Sequence, residues 1–571
     1  MTDISTAPLD HSAHFSLGET REGLPGIDFS QAKQVDLRNA VYELLTEDIN
    51  TYTVDAYAYR YPIRVLFPYV HRLKENDEGL DEQAKQSLIV ILEDAKARDN
   101  EVFENRRKEG LVEMDHVERL FPVGCEVVLT TAEPVGGKIK SILFKHSFFG
   151  PFLQVQLEVI HARDGHPKEG VYTARVPGFS GMRKISELLI KSITPEIKDM
   201  LTRRGSTMVR HCKPGSYAAY KGALVQDDWF GPQSFRADGR IVLDPQSFQR
   251  LDSNQWRETS RASGLFQDDE EMEGTDVSEN EPLSESLHWM CMPFLYGFSM
   301  TAKKWGRFNV SGLSDIQWRE DAFSKVVLPE KQKKLIYSLV KHHGAGMQDL
   351  IDGKGGGCIF LLHGEPGGGK TLVSESVAEV LHKPLYSVSV GELGTNPDNL
   401  EKRLRAILDV ATVWNAVILL DEADIFLEAR NQTDVDRNAM VGVFLRLLEY
   451  HNGVLFMTTN RVKNIDSAFF SRISVAISFG RADSHKRQQI WHNLLGMANL
   501  PQEWAEPLSS FDVNGRQIKN SIRLAQTLAL AEDRNMVIED IQEALENSLS
   551  FETEVRDGKP RAISDHGDNR A

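Results

Sequence analysis

The chain has few cysteines and no long hydrophobic run. Only Cys125, Cys212, Cys291 and Cys358 occur among 571 residues, and no two of them form a C-x-x-C pair. This usage favours reduced thiols in the cytosol or nucleus over a disulfide or zinc framework. The longest apolar candidate, WMCMPFLYGFSM, is interrupted by Pro293 and is shorter than the roughly 20 residues that span a bilayer. It fits a buried strand or an interdomain seam better than a client groove. The N-terminus also lacks the cationic and apolar pattern of a signal peptide, so we expect a soluble chain.

Basic residues are outnumbered by acidic ones. The net charge is −17, from 66 Lys and Arg against 83 Asp and Glu, and no Lys or Arg occurs between Arg261 and Lys303. A protein that coats nucleic acid needs a basic field, so this balance argues against a nucleic-acid partner. The stretch HCKPGSYAAYKGALV holds two tyrosines and two lysines. It fits core or rim packing better than the stacking surface of a single-strand binder.

What the sequence does contain divides it into eight segments. Local patterns of periodicity, charge and turn residues set their approximate bounds. The predicted segments are a flexible leader (1–35), a helical segment (36–110), a β-rich N-terminal domain (111–258), an acidic linker or insert (259–300), a linker (301–350), an α/β nucleotide-binding domain (351–483), a helical lid (484–550) and a disordered tail (551–571).

Two local patterns support the N-terminal part of this division. The run DEQAKQSLIVILEDAKARDNEVFENRRKEG has helical spacing and indicates one long amphipathic helix. In FLQVQLEVIHARDGHPKEGVYTARV, apolar residues alternate with polar ones on either side of Asp164-Gly165. That pattern predicts a β-hairpin.

A glycine-rich loop carries the clearest chemical signal. The segment GEPGGGKT fits G-x-x-x-x-G-K-[ST], with the apolar run GCIFLL before it and a helical pattern after it. In such a loop backbone N–H groups and the helix N-terminus bind phosphate oxygens. We expect the lysine to reach the β- and γ-phosphates of ATP and the threonine hydroxyl to bind Mg²⁺. The predicted nucleotide ligands are Gly364, Glu365, Pro366, Gly367, Gly368, Gly369, Lys370 and Thr371.

Polar residues also end two later apolar strands. AVILLDEADIF places Asp421 and Glu422 at a strand tip, and GVLFMTTN ends in Asn460. Asp421 is suited to the Mg²⁺ shell and Glu422 to polarising an attacking water. Asn460 could hydrogen-bond that water and the γ-phosphate. A water-activating set favours hydrolysis over transfer to a small-molecule acceptor.

One arginine completes this set. NIDSAFFSRI places Arg472 at the end of a short helical turn. At this spacing it can act on a neighbouring subunit as an arginine finger, a device that raises rates by about 10³–10⁵.

These motifs together resemble the AAA branch of the AAA+ ATPases. The resemblance rests on Gly364–Thr371, Val417–Glu422, TTNR and DSAFFSRI. The phrases FPVGCEVV, LYGFSMTAKKWGRF and RNAMVGVFLRLLEY look like a fungal group of this family whose N-terminal half is a domain of unknown function. The fold that the resemblance implies is a P-loop core with a parallel sheet and a helical lid, here preceded by a β-rich domain.

The resemblance also implies residue roles and partners. Asn460 would be sensor 1, Arg472 the trans-acting finger, and Arg516, at the start of NGRQIKNSIRLAQTLAL, a candidate sensor 2 residue on the γ-phosphate. A surface arginine at a helix start is the alternative for Arg516. The family forms rings, usually hexamers, so self-association is expected together with an unidentified protein client.

Two departures from the family pattern leave the function open. Many relatives carry two arginines near the finger, whereas this turn has only Arg472. The region SVSVGELGTNPDNLEKRL has Leu393-Gly394 where unfoldases carry an aromatic pore residue. An ATP-driven remodeller and a nucleotide-gated scaffold with slow turnover are therefore both retained.

Overall fold

The computed structural model describes most of the chain from residue 82 onward. The described residues are 16–19, 25–28, 41, 60–62, 66–67, 70–75, 82–147, 150–228, 231–262, 283–342, 357–394, 396–430, 435–461 and 465–557. Most of the predicted leader, part of the predicted helical segment, much of the predicted acidic insert and the end of the tail lie outside them.

The N-terminal described pieces are strands and helices. Ser16–Glu19, Pro25–Asp28 and Arg60–Pro62 form a three-stranded antiparallel sheet. The predicted leader therefore holds two strands, whose pairing with a remote third strand no local pattern could indicate. Helices follow at Val70–Glu75 and Glu82–Lys108, and the second is the predicted long helix.

A five-stranded antiparallel sheet forms the first part of the β-rich region. Its strands in spatial order are Ile190–Ser192, Glu126–Leu129, Val135–Ser147, Gly150–His161 and Lys168–Pro177. The last two are the predicted hairpin, and Gly165 in their turn has φ 88°. A smaller pair, Leu111–Glu113 with Met182–Lys184, lies beside it, and a short helix spans Val117–Leu120.

The helix Pro195–His211 connects this sheet to a second, seven-stranded antiparallel sheet. Thr194 caps the helix by accepting from the Ile197 N–H. The strands in spatial order are Gly231–Arg236, Ala223–Asp228, Lys304–Asn309, Phe294–Ser299, Gly239–Leu243, Ser216–Tyr220 and Leu313–Ser314. Helices Pro245–Leu251 and Ser253–Ala262 pack beside it.

This sheet places residues 294–314 differently from the predicted boundaries. Phe294–Ser299 pairs with Gly239–Leu243 on one side and Lys304–Asn309 on the other. The segment predicted as the end of the acidic insert and the start of a linker therefore supplies two inner strands. Phe308 pairs with Leu224, 84 residues earlier (308 − 224), so local composition could not show that these residues belong to the sheet. The predicted linker also contains the helix Glu330–Lys341.

A five-stranded parallel sheet follows, as predicted. Its spatial order is Leu385–Ser389, Val417–Asp421, Val454–Thr459, Cys358–Gly364 and Val475–Phe479. The strands are apolar almost throughout because helices cover both faces of such a sheet. The connecting helices are Lys370–Val380, Val390–Leu393, Pro397–Val413, Asp424–Leu427 and Val435–Glu449.

A helical unit, here called the lid, ends the described chain. Its helices are Ser484–Met497, Ala505–Leu508, Gly515–Ala531 and Ile538–Asp557. The lid has its own core, which includes the fully buried Trp491, Leu508, Ile518 and Leu545. The last helix continues seven residues past the predicted boundary at 550, into the predicted disordered tail.

The seven-stranded sheet packs directly on the parallel-sheet domain along an aromatic seam. Val242 and Phe298 of the antiparallel sheet belong to the same buried cluster as Leu420 of the parallel sheet. The Trp414 indole N–H donates to Asp244 Oδ2 over 2.7 Å, and both residues are buried. Trp305 lies against Trp414 with ring centroids 5.9 Å apart. Apolar burial and a buried hydrogen bond thus join the two sheets.

Among the residues that the structure describes, no helix is both long and apolar enough to cross a membrane.

Candidate functional site

The glycine-rich loop links the strand Cys358–Gly364 to the helix Lys370–Val380. A side chain on Gly364, at φ 140°, would lie 2.1 Å from the Phe479 carbonyl oxygen. Gly367 and Gly369 also have positive φ, at 77° and 95°. The loop follows a path that L-residues with side chains rarely adopt. Glu365, Pro366 and Gly368 are exposed, which leaves the loop accessible to a ligand.

Lys370 is the first residue of the helix and is 8% exposed. Its ammonium group donates to the carbonyl oxygens of Gly364 and Glu365, over 2.9 and 2.8 Å, and to Asn460 Oδ1 over 2.8 Å. Burial lowers the pKa of Lys370, while the charges of Asp421 and Asp424 oppose that shift. The lysine therefore joins the phosphate loop to Asn460 at the end of the neighbouring strand.

Asp421 ends the strand Val417–Asp421 beside the loop. Its Oδ1 accepts from the hydroxyl groups of Thr371, over 3.3 Å, and Thr458, over 2.6 Å. A carboxylate beside a hydroxyl at a helix N-terminus is an oxygen donor set that Mg²⁺ accepts. Thr371 and Asp421, which the sequence predicts as the metal-binding pair, thus lie in contact.

Glu422 follows with an unusual backbone. Its φ is 55°, in the left-handed region, and its side chain is exposed. Its N–H donates to Thr458 Oγ1 over 2.9 Å. The conformation directs the chain away from the strand immediately after Asp421.

Asn460 lies at the end of the middle strand of the sheet. Besides accepting from Lys370, it donates its own N–H to Asp424 Oδ1 over 3.1 Å. The Thr459 hydroxyl donates to the same Asp424 oxygen. The tips of the strands that end near Gly364, Asp421 and Asn460 are therefore tied into one hydrogen-bonded group.

Three members of this group were not predicted from the sequence: Thr458, Thr459 and Asp424. Thr458 is 2% exposed and Asp424 is partly buried. All three lie within two residues of a predicted one, the threonines before Asn460 in TTN and the aspartate after Glu422 in DEAD. Adjacent polar residues at the end of an apolar strand were the available signal, but nothing local showed what they bind.

Arg472 lies against a helix of its own domain. Its guanidinium donates to the carbonyl oxygens of Leu445 and Ala468, over 3.1 and 3.0 Å, and to Glu449 over 3.3 Å. None of its hydrogen bonds within the described part of the chain goes to the phosphate loop. The structure therefore does not bring Arg472 together with the other predicted site residues of the same chain.

Arg516 lies on the lid helix that starts beside the loop. Asn514 caps this helix by accepting from the N–H groups of Arg516 and Gln517, each over 3.0 Å. The charge of Arg516 contributes to the lowered pKa of Lys370, after burial and against nearby carboxylates. The lid thus brings a second positive charge within electrostatic range of Lys370.

The segment at the position of the family's pore loop is tied to the antiparallel sheet. The Lys303 ammonium donates to Glu392 and, over 2.8 Å, to the Ser387 carbonyl oxygen. Arg403 donates to the Glu392 carbonyl oxygen over 2.6 Å. Leu393 is buried rather than projecting outward.

Comparison with known proteins identifies the parallel-sheet domain. Residues 360–481 match the model of the family described as "ATPase family associated with various cellular activities (AAA)".

Three curated relatives illustrate the similarity. An outer mitochondrial transmembrane helix translocase of Danio rerio is 27% identical over 194 residues, which are 32% of this chain and 50% of the relative. A spastin of Anopheles gambiae is 25% identical over 251 residues, 41% of this chain and 29% of the relative. A putative 26S proteasome regulatory subunit homolog of Methanothermobacter thermautotrophicus is 28% identical over 200 residues, 32% of this chain and 53% of the relative.

The chain spans about half, or less, of the length of these relatives. The matched segment contains the phosphate loop, the tips of the strands beside it and Arg472. Residues 360–481, which form most of the parallel-sheet domain, are thus similar to the AAA family of ATPases.

Proposed function

We propose that this protein hydrolyses Mg-ATP and uses the energy to remodel a protein client or complex. The observation that carries the proposal is the hydrogen-bonded group that joins Lys370 to Asn460 and Thr371 to Asp421 at one edge of the parallel sheet. A phosphate-binding loop alone would support nucleotide binding. Hydrolysis also needs groups that bind Mg²⁺ and act on the attacking water, and the polar residues at the ends of the neighbouring strands would fill these roles.

Lys370, Thr371 and the loop would hold the nucleotide. The ammonium group would neutralise phosphate charge, and the N–H groups of the first helical turn would bind phosphate oxygens. Arg516 would add positive charge at the γ-phosphate from the lid. Thr371 and Asp421 would hold Mg²⁺, which supplies charge neutralisation on the phosphate oxygens.

Glu422 and Asn460 would act on the attacking water. The exposed Glu422 carboxylate can accept a proton from water, and the Asn460 amide can orient that water. Asn460 is held in place for this role by Lys370 and Asp424. Both side chains would act on water. This favours hydrolysis over a kinase reaction, in which the acceptor of the phosphoryl group replaces that water.

Arg472 would serve a neighbouring subunit in a ring, with a hexamer as the expected size. In a single chain its guanidinium is paired with Glu449. On assembly a phosphate in the adjoining site would compete with that carboxylate for the guanidinium. In mixed rings, the intact finger of a Lys370→Ala subunit should serve the intact site of a neighbouring Arg472→Ala subunit, so that the mixture turns over ATP faster than the sum of the two variants alone. A strictly additive rate would show that the arginine does not act in trans.

The client is proposed to be a protein. Two of the relatives are named as a transmembrane helix translocase and a proteasome regulatory subunit homolog, which makes a polypeptide client a reasonable extension to this chain. The reduced cysteines favour the cytoplasm or nucleus as the compartment.

A nucleotide-gated scaffold with slow turnover is the second candidate. The contacts of Lys303 and Arg403 with Glu392 favour it, because they hold the segment that threading ATPases use to grip a chain. That segment also lacks an aromatic residue, which would give apolar grip. Substantial stimulation of ATP turnover by a client would exclude this candidate.

Turnover measurements on two variants test the proposed hydrolysis. Glu422→Gln removes the proton acceptor and should lower turnover by at least about 100-fold. Arg472→Ala should lower it by a similar or larger factor if the finger acts as proposed. The exposed lid residues Glu503 and Arg523 provide matched controls, Glu503→Gln and Arg523→Ala, which should keep the wild-type rate. Unchanged rates in both site variants would refute the assignment.

A further inference from the structure

Thr458 occupies a bridging position in the candidate site that its sequence context does not reveal. It lies in the strand Val454–Thr459, which is hydrogen-bonded to Val417–Asp421 on one side and Cys358–Gly364 on the other. It is 2% exposed. Its hydroxyl donates to Asp421 Oδ1 over 2.6 Å and accepts from the Glu422 N–H over 2.9 Å. One hydroxyl group therefore contacts both members of the acidic pair.

The contact with Glu422 stabilises a strained backbone. A non-glycine residue in the left-handed region costs about 1–2 kcal/mol, and Glu422 has φ 55°. Two hydrogen bonds to Thr458 hold the chain there, from the Glu422 N–H to the hydroxyl and from the Ala423 N–H to the Thr458 carbonyl oxygen, each 2.9 Å. Loss of the first bond would leave Glu422 freer to adopt ordinary dihedral angles and move its carboxylate.

The contact with Asp421 orients the carboxylate that is proposed to bind the metal. The oxygen that accepts from Thr458 also accepts from Thr371, over 3.3 Å. The shorter of the two bonds comes from Thr458, which lies on the rigid strand rather than beside the loop. Supporting hydrogen bonds of this kind to metal-ligand carboxylates are worth about 10–100-fold in affinity or activity.

We propose that Thr458 is a positioning residue for ATP hydrolysis, whose hydroxyl holds the Asp421 carboxylate toward the metal and fixes the backbone that aims Glu422. This inference rests on the proposed hydrolase function. It adds a residue that neither binds the nucleotide nor touches the water. A merely structural buried hydroxyl would affect stability alone, whereas this role couples Thr458 to the magnesium dependence of nucleotide binding.

The test compares Thr458→Val with Thr458→Ser. Valine keeps the volume of threonine and removes both hydrogen bonds, whereas serine keeps the hydroxyl. Thr458→Val should lower the turnover number by about 10–100-fold. Mg²⁺ is expected to increase the binding of a fluorescent ATP analogue. In Thr458→Val, the Mg²⁺ concentration at which half of this increase is reached should be about tenfold higher than in the wild type. Binding without Mg²⁺ should stay within about twofold of wild type, because Lys370 and the loop are intact, and Thr458→Ser should restore both properties.

Thr259→Val is the matched control. Thr259 is also fully buried and bonded, to Gln255 Nε2 over 3.2 Å, but it lies in the helix Ser253–Ala262 beside the antiparallel sheet. Its loss should change stability without changing the magnesium dependence. If Thr458→Val does not fold, Thr458→Ala at low temperature provides the same comparison with serine.

The outcomes separate this inference from the proposed function. The role of Thr458 is overturned if the wild type hydrolyses ATP and Thr458→Val has unchanged turnover and magnesium dependence. It is also overturned if Thr259→Val loses as much turnover and magnesium dependence as Thr458→Val. A wild type that does not hydrolyse ATP defeats the proposed function. The magnesium titration then still decides whether Thr458 orients Asp421, with an unshifted titration counting against it.

Discussion

At the scale of single residues, Gly367 joins the phosphate loop to the lid. Its φ is 77°, and a Cβ added there would lie 2.5 Å from Asn514 Oδ1, the atom that caps the lid helix. The next residue of that helix, Gly515, lies close to the Gly367 carbonyl oxygen. Glycine is therefore needed at position 367 both for the loop's path and for the contact with the lid.

Gly367→Ala should weaken ATP binding. The substitution combines a left-handed alanine, at about 1–2 kcal/mol, with displacement of a helix cap worth about 1 kcal/mol. We expect the ATP dissociation constant to rise by about tenfold or more, measured with a fluorescent analogue. Gly442→Ala is the control, since a Cβ there meets nothing within 4 Å in the helix Val435–Glu449. Equal affinity in the two variants would show that the loop and lid do not depend on this contact.

Some residues of the candidate site could be predicted from the sequence, and others could not. Lys370, Thr371, Asp421 and Asn460 were predicted because each stands at a fixed place in a motif, and the structure places them together. Their roles in catalysis remain predictions. Thr458 could not be assigned, because its two partners come from a different strand and only the register of the sheet brings them together.

Among the secondary-structure elements, some were predictable from their own sequence, whereas others depend on pairing with residues far away in the chain. The helix Glu82–Lys108 and the hairpin around Gly165 were predicted from periodicity within each segment. Three strands of the parallel sheet were predicted from short apolar runs, those of GCIFLL, AVILLDEADIF and GVLFMTTN. The strands Phe294–Ser299 and Lys304–Asn309 fell inside segments predicted as an acidic insert and a linker, although the run WMCMPFLYGFSM, which contains the first strand, was itself predicted to be a buried strand or interdomain seam. The acidic residues before these strands determined how the segment was assigned from its composition. Because the pairing partners of the strands are distant in sequence, no local pattern showed that the strands belong to a sheet.

At the scale of the whole molecule, the seam at Trp414 makes the seven-stranded sheet part of the body of the ATPase domain. Phe298 packs on both Tyr386 and Trp414, with ring centroids 5.5 and 5.8 Å apart. Arg240 pairs with Glu379 on the phosphate-loop helix over 2.6 Å. Any movement that ATP hydrolysis drives in this sheet would first have to break these contacts.

Trp414→Phe tests whether the seam contributes to a common fold. The variant keeps an aromatic ring and removes the donor to Asp244, leaving a buried carboxylate oxygen without that bond. The expected cost is about 1–3 kcal/mol, which lowers Tm by about 2–4 °C per kcal/mol in a unit of about 200 residues. Differential scanning calorimetry should show this shift in the transition that the two sheets share. Trp504→Phe, at a partly exposed lid position outside the seam, should shift Tm less, and equal shifts would argue against a special role for the seam.

In the proposed reaction, the carboxylate of Glu422 lets water cleave the terminal phosphate held by Lys370. Its most direct test is the identity of the nucleotide that stays bound after incubation with Mg-ATP and rapid removal of free nucleotide. We expect ADP on the wild-type protein and intact ATP on Glu422→Gln, at similar occupancy. Intact ATP retained equally on both proteins would contradict hydrolysis at this site and leave a nucleotide-gated binding protein.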